Sequence, residues 1–189
     1  MEALEKKILM EGRVLTGNIL KVDSFLNHQM DPLLMQAIGQ EFARRFAGDS
    51  VTKILTLEAS GIAPALFTGL ALGVPVLFAK KTAAGNMDPL TYSADVYSYT
   101  RNRTYTIRVS RNYLSAADRI LIIDDFLARG QAVLGMAELI GQAGASLAGA
   151  GIVIEKGFQD GGAIVRQKGI RVESLAIIKD MTNGQITFS

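Results

Sequence analysis

The chain has 189 residues, of which 49% are hydrophobic and 20% charged, and a formal net charge of +2 at pH 7. That size and balance fit one globular domain with a well-buried core and argue against long disordered tracts. So small a charge leaves no electrostatic footprint for nucleic acid, and the absence of cysteine excludes a disulfide framework or a thiolate metal site.

The opening Met1-Glu2-Ala3-Leu4-Glu5-Lys6-Lys7 lacks the apolar segment of a signal peptide, and no window reaches the ~18 apolar residues of a membrane span. The expectation is a cytoplasmic protein that engages neither membrane nor nucleic acid. Leu4, Ile8 and Leu9 share one face of an amphipathic helix predicted over 2–12 and ended near Gly12. Val14 to Asp23 alternates loosely, as short extended pieces do, and the stretch from Gly17 to Gln29 is unusually apolar for a linker. Asp31-Pro32 then supplies an N-cap and a first-turn proline, and Leu34, Ile38, Phe42 and Phe46 recur every four residues up to Gly48, which predicts a second helix.

Residues 51–58, V-T-K-I-L-T-L-E, predict the first central strand, followed by the small-residue loop Ala59-Ser60-Gly61 and a helix to Leu72. A loop of that kind lets backbone approach an anion, and is equally a tight strand-to-helix turn. Val76 to Ala79 forms the next buried strand and ends at Lys80-Lys81, which as bare sequence is solvated charge. Residues 83–89 form a connector, after which Tyr92–Tyr99 and Tyr105–Val109 alternate as a long hairpin around Arg101-Asn102-Arg103. A flexible lid over phosphates, a solvated hairpin and an arm reaching a neighbouring subunit all fit that pattern.

Arg119 to Ala132, R-I-L-I-I-D-D-F-L-A-R-G-Q-A, organises the rest. Ile120 to Ile123 is an uninterrupted apolar run of the length of a buried parallel strand. Asp124 and Asp125 follow at its carboxyl end, then the loop 126–132 with its single Gly130, then a helix to about Gly144. Open α/β sheets build ligand sites in this order at their strand ends. Backbone amides of the loop and the positive helix end suit a phosphate, whereas adjacent carboxylates would repel one and suit sugar hydroxyls or a developing cation. A ribose phosphate satisfies both, although on spacing alone the pair is equally a strand end beside a turn glycine. Strand 148–155 ending Glu155-Lys156-Gly157-Phe158, helix 161–168 and a last strand 172–178 complete the α/β alternation. The pattern predicts a mainly parallel sheet with helices on both faces, in a single domain spanning 1–189.

The stretch D-D-F-L-A-R-G-Q-A resembles the phosphoribosyl pyrophosphate motif of the type I phosphoribosyltransferases, and more narrowly the form found in bacterial xanthine phosphoribosyltransferases. Most type I members carry Thr or Ser where this chain has Ala128 and Ala132, so the phosphate load falls on backbone amides of Ala128, Arg129, Gly130, Gln131 and Ala132; the narrower match shares that departure. The resemblance implies a transferase that joins xanthine to phosphoribosyl pyrophosphate, with Asp124 and Asp125 as the catalytic pair. It implies a pyrophosphate loop at Ala59, Ser60 and Gly61, a pyrophosphate lysine at Lys81 with Lys80 less firmly placed, and base contacts from Leu20, Asn27 and Lys156. Leu20 and Asn27 fall in a hood over about 12–30 that also takes in the region around 156 and the C-terminal part, above a core of about 31–155. Mg2+ is expected on the pyrophosphate oxygens through substrate and water, and a homodimer is expected because dimers are common in this family. Lys156 can only donate hydrogen bonds, so it matches a 6-oxo purine and mismatches the amino group of adenine. Phe126 and Phe158 offer stacking faces, or are core. The alternatives are a guanine/hypoxanthine or adenine enzyme of the same fold, or a non-enzymatic sensor of phosphoribosyl pyrophosphate. No P-loop or dinucleotide-binding glycine signature is present to support an ATP or NAD enzyme.

Overall fold

The computed structural model describes residues 1–81, 90–99 and 102–189. The connector expected at 83–89 and Arg101 of the hairpin tip lie outside the described residues. In chain order the elements are α1 (Glu2–Glu11), β1 (Arg13–Leu15), β2 (Ile19–Lys21), α2 (Pro32–Arg45), β3 (Lys53–Leu57), α3 (Ile62–Leu72), β4 (Val76–Ala79) and β5 (Thr91–Ser98). β6 (Arg103–Ser110), β7 (Arg119–Leu127), α4 (Gln131–Gln142), β8 (Ser146–Lys156), α5 (Gly161–Gln167), β9 (Val172–Asp180) and β10 (Thr187–Phe188) follow.

Six strands form the central sheet in the order β10-β9-β8-β7-β3-β4, parallel except for the antiparallel edge strand β10. Both faces of β7 are covered, which is why its sequence is a continuous apolar run rather than an alternation. Leu121 and Ile123 join Ile8, Ile38 and Phe42 in the core beneath α1, α2 and α3. Ile120 and Ile122 join Met136 and Leu139 of α4 on the opposite face, together with Val96 and Ile107 from the β5–β6 hairpin. Each such side chain contributes about 1.5–3 kcal/mol on full burial. The N-cap expected at Asp31 is present: its Oδ1 accepts from the amides of Leu33 (3.1 Å) and Leu34 (3.2 Å).

Three expectations are corrected. Leu9 is exposed, because a narrow stripe carrying Leu4 and Ile8 is all that α1 buries. Phe126 and Leu127 continue β7 instead of opening the loop, since they pair with Ile154 and Glu155 of β8. β9 is not the last strand: Thr187 and Phe188 add to its free edge, a pairing too short to announce itself by periodicity. The hairpin strands are also anchored, with Ala94, Val96, Ile107 and Val109 in the core, so a hairpin swinging as a unit would expose four buried side chains.

Candidate active site

The carboxyl ends of β3, β4, β7 and β8 lie side by side, and the expected site residues other than Leu20 gather there. Asp124 is 5% exposed and Asp125 is half-buried. The Asp125 amide donates to Asp124 Oδ1 at 3.1 Å. Burial, and then the neighbouring Asp125 charge, push the Asp124 carboxyl well above its ordinary range. Burial also raises Asp125, while the charge of nearby Lys81 acts on both in the opposite direction.

The loop after β3 closes against that doublet. A Cβ on Gly61 would stand 3.3 Å from Asp124 Oδ1 and 3.2 Å from the Leu57 carbonyl, and would overlap Thr56 Oγ1. Only glycine allows this approach. Ala59 is exposed and Ser60 half-buried, and the Glu58–Ala59 peptide is cis. Glu58 Oε1 accepts from the Lys81 amide at 2.5 Å, which joins this loop to the end of β4. Lys80 exchanges two backbone hydrogen bonds with Arg108, each of 2.9 Å, and so ties β4 to the hairpin.

On the other side, Gly130 takes a left-handed conformation (φ 77°) as the N-cap of α4. The amides of Gln131, Ala132 and Val133 open the helix and have no partner within it. Arg129 donates to Asp160 Oδ1 at 2.9 Å, and its guanidinium lies 5.4 Å from the Tyr99 ring centre. Lys81 Nζ lies 5.6 Å from the ring of Tyr105.

The hood reaches the doublet directly. One π-helical turn over Asp23–Asn27 buries Phe25 and Leu26 and presents Asn27, whose Nδ2 donates to Asp125 Oδ2 at 3.1 Å. Lys156 Nζ donates to the Asn18 carbonyl at 3.0 Å and lies 5.9 Å from the ring of Phe126, and desolvation lowers its pKa. Leu20 is placed differently from the other expected base contacts, being buried in the core against Gly12. Among the described residues, two buried side-chain oxygens have no hydrogen-bond partner, Asn27 Oδ1 and Thr56 Oγ1. They flank the carboxylates, one through the Asn27–Asp125 bond and one through Gly61.

Sequence reasoning had missed Glu58, Asp160 and the tyrosines that carry Lys81 and Arg129. The alternation of tyrosines with basic residues in the hairpin was the available signal, since an aromatic face is a ready partner for a cation.

No family model matches the sequence. Solved structures with the same architecture include the adenine phosphoribosyltransferase of Trypanosoma brucei, with a TM-score of 0.76 at 18% identity over 92% of this chain and 78% of that one. The adenine phosphoribosyltransferase of Rhodothermus marinus gives 0.75 at 17% identity over 94% and 100%. The fold is therefore that of a type I phosphoribosyltransferase. Xanthine phosphoribosyltransferases of Bacillus cereus and Bacillus thuringiensis are each 57% identical to this chain over 188 residues, covering 100% of it and 95% of their own length. The chain belongs to the xanthine phosphoribosyltransferase family.

Proposed function

We propose that this site transfers ribose 5-phosphate from phosphoribosyl pyrophosphate to xanthine, giving xanthosine 5'-monophosphate and pyrophosphate. The observation that carries the reading is the buried Asp124–Asp125 doublet set between two glycine-bearing loops, with Gly61 on one side and Gly130 on the other. In the ground state the carboxylates accept from ribose hydroxyls. As pyrophosphate leaves, the sugar gains oxocarbenium character, and fixed anions beside it stabilise the transition state more than the ground state. The amides of 128–132 and the start of α4 take the 5'-phosphate. Ala59, Ser60, Gly61 and Lys81, with Lys80 beside it, take the pyrophosphate.

Among the described residues no three ligating side chains gather, which suits an Mg2+ that would be held mainly by the pyrophosphate oxygens and its own waters and would supply neutralising charge to the leaving group. Lys156, held at the end of β8, donates to the 6-oxo oxygen, and its neighbour Phe126 offers a stacking face. Asn27 supplies the second polar contact to the base, and Leu20 backs the hood from the core. The hood of this reading comprises about 12–30, the region around 156 and the C-terminal part, and the Lys156–Asn18 hydrogen bond joins two of those pieces.

The assembly we propose is a homodimer. Leu66 and Leu70 of α3 are 58% and 75% exposed, and Phe78 of the edge strand β4 is 38% exposed on the same side of the sheet. No helix among the described residues is long and apolar enough to cross a membrane; the cytoplasm is the compartment in which such a salvage reaction belongs. The decisive assay offers xanthine, guanine, hypoxanthine and adenine with phosphoribosyl pyrophosphate and Mg2+. Xanthine is expected to give the highest kcat/KM, and a preference for adenine would overturn the role given to Lys156.

A further inference from the structure

One buried carboxylate takes no part in the chemistry above. Glu155, at the end of β8, is 5% exposed, and its two oxygens accept from the two terminal nitrogens of Arg166 in α5 at 2.7 and 2.8 Å. Ser174 of β9 donates a third hydrogen bond to the same carboxylate. The sheet thus holds the carboxylate through Ser174, and the carboxylate holds α5 through a planar fork that fixes direction as well as distance. Gly162 makes room for this, since a Cβ there would overlap Glu155 Oε1 and stand 2.6 Å from Arg166 Nη1.

The far side of α5 rests on the loop that follows the acidic doublet. The Gly161 amide donates to the Ala128 carbonyl at 3.1 Å, and a Cβ on Gly161 would come within 2.6 Å of Arg129 C and Gly130 N. A Cβ on Gly130 would in turn meet Val165 at 2.9 Å and the Gly161 carbonyl at 3.1 Å. Asp160, just before the helix, holds Arg129. Backbone therefore lies on backbone between Gly161 and 128–130, with the Val165 side chain packed against Gly130 beside it.

We infer that the Glu155–Arg166 pair is a positioning device: through α5 it sets the place of loop 128–132, and so the affinity for phosphoribosyl pyrophosphate rather than for the base. The inference rests on the reading of that loop as the phosphate site. The base side is independently secured, because Lys156 is paired with Ile178 in the sheet and bonded to Asn18. Loosening α5 leaves those contacts in place and frees the phosphate loop.

The test uses Arg166→Lys, which keeps the charge and loses the fork, and Glu155→Gln/Arg166→Gln, which removes both charges and leaves no unpaired ion that could prevent folding. Both are expected to raise the KM and the calorimetric Kd for phosphoribosyl pyrophosphate with Mg2+ about tenfold, with KM for xanthine within about twofold and kcat within about threefold of wild type. A fall in thermal stability with unchanged phosphoribosyl pyrophosphate affinity, or an equal rise in both KM values, would reduce the pair to a structural ion pair and overturn the inference. The two levels separate cleanly. Wild-type base preference tests the proposed reaction, whereas the calorimetric Kd tests the positioning role whichever purine is used.

Discussion

At Asp124 the fold gives up stability to make a site. The carboxyl is nearly buried beside a second one, and burial raises its pKa above the ordinary 3.8. A group whose folded pKa is raised contributes stability that is fully present below the unfolded value and lost as pH climbs through the folded one, so the wild-type protein loses stability at this side chain as pH rises above 3.8. Asp124→Asn keeps an Oδ1 to accept from the Asp125 amide and removes one of the two charges. The substituted protein is therefore expected to melt higher than wild type at pH 7, each 1 kcal/mol relieved showing as ~2–4 °C in a domain of this size. The difference should close as pH falls below 3.8, where the wild-type side chain becomes protonated in both the folded and the unfolded state. Turnover is expected to fall about 10²–10³-fold, the usual loss on deleting one preorganised electrostatic contact. Calorimetry across that pH range, alongside the assay, checks both halves; a lower melting point at pH 7 would show that the carboxylate is compensated after all.

At the scale of elements, helices place the loops. α3 begins directly after Ala59-Ser60-Gly61 and packs on α2 at Gly39, where a Cβ would overlap the Phe67 carbonyl and stand 2.8 Å from the Thr68 amide. These are backbone atoms and cannot rotate aside. Gly39→Ala is therefore expected to push α3 outward, cost about 1–3 kcal/mol as overpacking does, and raise KM for phosphoribosyl pyrophosphate more than KM for xanthine. Denaturant unfolding and steady-state kinetics read the two effects, and an unchanged unfolding midpoint would exclude the close approach. Elements of this kind were legible in the sequence wherever one physical requirement dominates. The two-faced burial of β7 shows as Ile120–Ile123, and the capping of α2 shows as Asp31-Pro32. Strand β10 was not legible, since two residues carry no period, and Leu9 misled because α1 buries a narrower stripe than its apolar residues suggest.

For the whole molecule, the parts of the site that escaped the sequence are the ones made by distant residues meeting. Asn27 and Asp125 are 98 positions apart, and Arg129 and Asp160 are 31 apart. Residue types can suggest what each side chain is able to do, but which ones meet is decided by the sheet order, which carries the end of β7 to the ends of β3 and β8. The same limit applies to the outer surface. Leu66 and Leu70 of α3, one turn apart, are exposed, as is Phe78 of the edge strand β4. A patch of large aliphatic and aromatic side chains on a helix beside a sheet edge suits a second copy of the same face, and a stable pairing there would bury on the order of 1,000 Å² or more. Leu66→Lys/Leu70→Lys places two like charges on that face in each copy and disturbs no buried contact within one chain. Sedimentation at micromolar concentration is expected to find wild type as a dimer and the double variant as a monomer that keeps its far-ultraviolet circular dichroism. A monomeric wild type, or a double variant that still pairs, would move the interface away from α3 and β4.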